Sequence, residues 1–166
     1  MDNTGFENLL RRVYSSRGLT LLFRAVNAVA SCFTVLTFLL LIYGAASVSM
    51  LRLLRLLVVL GIPYAAVTIL RKAVNAKRPY EIYDFYKNQP KNCSGLSFPS
   101  RHAASVMIIA TVALFLYGWV GALLSLLGVL MCISRVMLGI HFPRDVIAGG
   151  CIGVASALIG TLILLI

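Results

Sequence analysis

Long apolar runs constrain this chain more than any other feature. A transmembrane helix needs about 20 mostly apolar residues to cross roughly 30 Å of hydrocarbon. Five runs approach that length, at about 25–49, 51–70, 103–117, 119–133 and 146–166. Hydrophobic residues make up 60% of the 166-residue chain and the mean hydropathy is +0.95, well above the roughly half-apolar composition of soluble domains. The expected fold class is all-α, a polytopic transmembrane helix bundle of about five spans preceded by an N-terminal amphipathic helix. One integral membrane domain over 1–166 is expected, because no Gly/Ser-rich or Pro-rich linker interrupts it.

The third and fourth runs are separated only by Tyr117-Gly118-Trp119, which predicts a tight helical hairpin with an interfacial aromatic anchor. In the N-terminal segment 1–24, Phe6, Leu9, Leu10 and Val13 recur at helical spacing with Arg11, Arg12 and Arg17 between them. That pattern predicts a helix lying on the membrane surface. The long polar segment is 71–102, expected to be a loop. From Arg71 to Arg101 it carries seven basic residues, with Glu81, Asp84, Tyr80, Tyr83 and Tyr86. Lys87, Lys91, Glu81 and Asp84 keep Pro79–Phe98 out of hydrocarbon, while its aromatic residues suit the headgroup plane. This part should cover the site near that plane and not form a sixth span.

The formal net charge is +10. In a soluble protein that would raise nucleic-acid binding, but beside apolar spans basic residues normally meet anionic headgroups. Nucleic acid is therefore not an expected partner; membrane lipids are. Cys32, Cys132 and Cys151 lie in apolar runs, Cys93 lies in a polar loop, and no CxxC pair occurs. Neither a disulfide framework nor a metal site is expected, and the first 20 residues lack the apolar core of a signal peptide.

Alternation of five spans brings the end of the second, the start of the third, the end of the fourth and the start of the fifth to one membrane face. The two histidines, His102 and His141, fall at that face. Asp145 follows His141 by four residues. Such a carboxylate can hold the imidazole tautomer and stabilise an imidazolium, or it can simply cap a helix and pair with Arg144. Ser100 precedes an apolar helical run, so its hydroxyl can cap that helix while the free amides face an anion. Arg71, Arg78, Arg101 and Arg135 fall near the same face. Each guanidinium can either bind phosphate bidentately or snorkel to a headgroup.

Taken in order, Arg71 with six residues before Arg78-Pro79, then Pro99-Ser100-Arg101-His102, then Ser134-Arg135 through His141 to Asp145, resemble the motifs of the type 2 phosphatidic acid phosphatase superfamily. That superfamily includes bacterial phosphatidylglycerophosphate and undecaprenyl pyrophosphate phosphatases, glucose-6-phosphatase and soluble vanadium haloperoxidases. The resemblance implies a small bacterial-type member, multi-pass in the cell membrane. It implies a metal-independent phosphatase acting on a lipid phosphate or lipid pyrophosphate through a phosphohistidine, without a cofactor. His141 would be the nucleophile, Asp145 its orienting acid and His102 the proton donor. Arg71, Arg78, Ser100, Arg101 through its amide, and Arg135 would hold phosphate.

Two positions depart from the family pattern. Its first motif usually opens with lysine where Arg71 stands, so the adjacent Lys72 competes for that role, and its second usually has glycine where Arg101 stands. Prenyl pyrophosphate, phosphatidate and phosphatidylglycerophosphate are all admissible substrates. A haloperoxidase is disfavoured by the five spans. A protein that only binds or moves anionic lipids would need the arginines but not the two histidines and Asp145 together. The sidedness of the site and the oligomeric state are not read from the sequence. Positive-inside counting favours a cytoplasmic site, whereas many bacterial relatives work outside.

Overall fold

The computed structural model describes residues 3–83 and 95–164. Among them are six helices of 13 residues or more and one short turn of helix, and no strand. Helix α1 (Asn3–Ser15) buries Phe6, Leu10 and Val13 and leaves Arg11 and Arg12 exposed, as the spacing of its apolar residues requires. Ser16 breaks the chain, and its hydroxyl accepts from the Leu19 amide to cap α2 (Arg17–Val48). The second helix thus begins eight residues before the apolar run, at Arg17 instead of near 25. At 32 residues it is roughly 48 Å long. Arg17 and Arg24 therefore belong to its first turns.

Ser49 alone separates α2 from α3 (Met50–Val74) and caps the latter through Arg52 N. Helix α3 runs through Arg71 and Lys72 before Asn75, in left-handed conformation at φ 43°, closes it. The segment 71–102 is accordingly not a loop at its ends. Arg71 stands on the last turn of α3, and Arg101 and His102 on the first turn of α5 (Arg101–Tyr117). Asn75 is the C-cap of α3 and Ser100 the N-cap of α5. Between them lies α4 (Pro79–Ile82). Asp84, Phe85, Tyr86, Lys87, Lys91 and Cys93 lie outside the described residues.

Gly118 joins α5 to α6 (Trp119–Met137) as a one-residue turn, in line with the expected hairpin. Helix α7 (Pro143–Leu164) completes the bundle. Helices α2, α3, α6 and α7 have the length and hydropathy to cross a bilayer, while α5 has 17 residues, the lower end of the spanning range. Its position compensates. Helix α5 packs on α2, α3, α6 and α7, burying Ala103, Ala104, Val106, Ile108, Ala110, Val112 and Ala113. Small residues permit this close approach, since apolar burial drives no association inside lipid. A Cβ on Gly153 of α7 would stand 2.6 Å from the Ala104 carbonyl oxygen, and one on Gly149 would collide with that of Ser100.

Candidate active site

The site is assembled where α6 turns into α7. Arg135 lies in the last turn of α6, and its carbonyl accepts from the amides of Ile140 at 3.0 Å and His141 at 3.3 Å. Gly139, at φ 61°, supplies the left-handed residue that folds the chain back there. His141 then points inward, 1% exposed. Pro143 opens α7, and Asp145 in its first turn receives the Phe142 amide on Oδ2 at 3.0 Å. This bond reaches back to the start of the helix, where the helix end favours a carboxylate.

Asp145 is fully buried, and its Oδ2 stands 3.7 Å from His141 Nδ1. Ser97, also fully buried, donates its hydroxyl to the same Oδ2 at 2.5 Å, and its Oγ lies 3.4 Å from His141 Nδ1. The carboxylate therefore organises both a serine and a histidine. Arg144 Nε also lies 3.6 Å from Oδ1, though that arginine is largely exposed. The capping and pairing roles of Asp145 thus coexist with its contact to His141.

The start of α5 is tied to the same point. The Ser100 amide donates to the Asp145 carbonyl at 2.9 Å, and the Ser100 hydroxyl accepts from Ala103 N at 3.5 Å. The stretch before α5 is fastened to the stretch after α3. Ser97 N bonds Ala76 O at 2.8 Å, Leu96 N bonds the Asn75 side chain at 3.3 Å, and Arg78 Nε bonds Gly95 O at 3.1 Å. One oxygen of Glu81 accepts from the amides of both Arg78 and Gly95. These bonds bring the first two motifs together without a strand.

Arg71 is 6% and Arg135 7% exposed; Arg78 and Arg101 are half-buried and His102 is exposed. Arg71 feels the charges of Arg78, Arg101 and Asp145, and His102 feels Arg135, His141, Arg101 and Arg71. All belong to one electrostatic cluster. Lys72, beside Arg71, is exposed. Burial holds the His141 imidazolium below its ordinary pKa, Arg78 and Arg135 push the same way, and Asp145 opposes them. His141 is consequently neutral near pH 7, the form that carries a nucleophilic lone pair. Arg135 Nε is buried and without a hydrogen-bond partner among the described residues. Such a donor is costly to leave unmade and suits an anion.

Helices and site together define an integral, multi-pass, all-helical membrane protein with a buried histidine–carboxylate pair facing a set of arginines. The chain belongs to the PAP2 superfamily, whose family model matches residues 52–165. It is 42% identical over 65 residues to the putative undecaprenyl-diphosphatase YbjG of Escherichia coli (strain K12), a match covering 37% of this chain and 33% of that protein. The crystal structure of Aquifex aeolicus LpxE superposes with a TM-score of 0.70 at 24% identity, covering 93% of each chain. That of the transmembrane PAP2 type phosphatidylglycerolphosphate phosphatase from Bacillus subtilis gives 0.59 at 23% identity, covering 95% of this chain and 92% of that one. At these identities the two structures show a common fold.

Ser97 was not among the residues singled out from the sequence. It has no periodic neighbour and no charge. Its only signal is a hydroxyl three positions before Ser100, in a stretch with two other turn-forming residues, Gly95 and Pro99.

Proposed function

We propose that the protein is a metal-independent phosphatase of lipid phosphates or lipid pyrophosphates, working through a phosphohistidine, with the chain 1–166 acting as one domain. The observation that carries this reading is the buried His141–Asp145–Ser97 group opening onto the arginine cluster. Asp145 and Ser97 occupy the Nδ1 side of the ring, which leaves Nε2 for the substrate. In the first step the Nε2 lone pair attacks phosphorus and the bond to the lipid oxygen breaks, while His102, protonated as the phosphate dianion binds beside it and offsets the surrounding arginines, delivers its proton to that oxygen. In the second, His102 takes a proton from water, the hydroxide oxygen bonds phosphorus, the P–N bond breaks, and its electron pair returns to His141.

Arg71, Arg78, Arg135, the Ser100 hydroxyl and the amides at the start of α5, including that of Arg101, neutralise the phosphoryl oxygens. Charge stabilisation of this kind is most of what phosphoryl transfer requires. Arg71 is preferred to Lys72 because it is buried within the cluster while Lys72 is exposed. The relatives named for undecaprenyl diphosphate and phosphatidylglycerolphosphate, with the membrane-level site, support an amphiphilic substrate.

The test is phosphate release from a panel of lipid phosphates, with acid-quenched trapping of radiolabelled phosphate on the protein. Wild type should turn over and carry label. His141→Ala should do neither while inserting and folding normally. His102→Ala should be nearly as impaired on lipids, whose alkoxide leaves poorly, but much less so on p-nitrophenyl phosphate. Full activity of His141→Ala would overturn the mechanism. Stoichiometric lipid binding without any turnover by wild type would favour lipid binding or transport instead.

A further inference from the structure

Helix α1 buries its apolar face in the protein itself. Phe6, Leu10 and Val13 are buried, α1 packs on α2 and α6, and the Thr20 hydroxyl donates to the Val13 carbonyl at 2.9 Å, tying the helix to α2. Gly5, Asn8, Arg11, Arg12 and Ser15 are left on the outside. An amphipathic helix bound to lipid would turn its apolar set toward the acyl chains. Here that set is already occupied.

What α1 covers is the turn between α6 and α7. The Tyr14 hydroxyl donates to the carbonyl of Leu138, the C-cap of α6, at 3.0 Å. The Phe6 ring lies 5.7 Å from that of Phe142 and 6.1 Å from that of Tyr83, and the Tyr83 and Phe142 rings are 6.3 Å apart, all within the range at which aromatic pairs attract. His141 stands between the two points that α1 holds, after Leu138 and directly before Phe142. The Phe142 amide is also the one that donates to Asp145 Oδ2. Gly139, at φ 61°, lies inside the same turn, and a glycine there offers little resistance of its own to displacement.

We propose that Phe6 and Tyr14 are positioning residues, and that α1 clamps the turn 138–142 from both sides so that His141 Nε2 meets phosphorus in line. The proposal rests on the phosphatase reading and gives α1 a part in it. A reacting group displaced by about 1 Å loses on the order of a hundredfold in rate, so a clamp of this kind acts on kcat and not on lipid binding.

The test compares kcat and KM for phosphatidate in mixed micelles and for p-nitrophenyl phosphate. Phe6→Ala and Tyr14→Phe should each lower kcat about tenfold, by a similar factor on both substrates, with KM within about twofold. Vanadate inhibition should weaken in parallel, and Phe6→Leu, which keeps apolar bulk, should recover part of the loss. Arg12→Gln, on the outer face of α1, should change neither constant. Hydrogen exchange gives a readout that needs no activity: the amides of 138–142 should exchange faster in Phe6→Ala and Tyr14→Phe, while those of α7 beyond Gly149 keep their protection. A lower Tm with kcat unchanged in the folded protein would make α1 merely structural and overturn the proposal. A raised KM for the lipid alone, shared by Arg12→Gln, would make α1 a membrane-docking helix and overturn it as well. Failure of wild type to hydrolyse either substrate would remove the phosphatase reading instead, and unchanged exchange over 138–142 would overturn the clamp in either case.

Discussion

His141 Nδ1 faces Asp145 Oδ2 across 3.7 Å, outside the usual hydrogen-bond distance. The gap is spanned by Ser97, whose hydroxyl lies 3.4 Å from the imidazole nitrogen and bonds the carboxylate. Catalytic hydrogen bonds are often long without substrate and tighten when the transition state places charge on the ring. In the proposed mechanism Ser97 would hold Asp145 for that moment, as a positioning residue.

Ser97→Ala should lower kcat by about ten- to a hundredfold with little change in KM, the range seen when an outer partner of a reacting group is lost. Ser97→Thr, which keeps the hydroxyl, should restore part of it. A purely structural role would instead appear as a lower Tm with kcat unchanged in the surviving folded protein.

The acid limb of kcat/KM reports protonation of His141 in the free enzyme. Burial, with Arg78 and Arg135, lowers this pKa, so the limb should fall below about 6.5. Asp145 raises it, and Asp145→Asn should therefore move the limb to still lower pH while reducing kcat. Because the folded state favours neutral His141, its contribution to stability is present above the unfolded pKa of about 6.5 and is lost as pH falls toward the lowered folded value. Thermal melts at stepped pH measure this directly.

Arg71 and Lys72 are adjacent in sequence but differ in surroundings, the first buried and the second exposed. Arg71→Gln should cost roughly a hundredfold or more in kcat/KM, comparable to loss of a charged donor to the transition state. Lys72→Gln should stay within about twofold. The reverse order in a phosphate-release assay would place Lys72 at the substrate.

Activity should persist in excess EDTA, because a divalent cation placed among Arg71, Arg78, Arg101 and Arg135 would be repelled. The described residues also contain no group of three His, Cys, Asp or Glu able to hold one. Vanadate, which can adopt the trigonal bipyramidal geometry of the transition state, should inhibit competitively. Loss of activity on chelation and its return with magnesium would reject the metal-free mechanism.

The sequence by itself determined the apolar spans and their order and put His102, His141, Asp145 and the arginines toward one face, but not where α2 begins or α3 ends. Membrane-spanning runs have a strong one-dimensional signal, and alternating crossings leave little topological freedom. It also predicted the hairpin at Gly118. Tertiary structure decided what depends on distance between remote segments. Arg71 and Lys72 are both basic residues at a helix end, and only packing buries one of them. Ser97 acquires its role through a bond to Asp145, 48 residues away, and a lone hydroxyl in a turn carries no periodicity to reveal that partner. Tyr14 likewise meets Leu138 across 124 residues, because α1 packs on α2 and α6. Amphipathic spacing alone serves a membrane surface equally well, and which surface the apolar face of α1 meets only the assembled bundle defines.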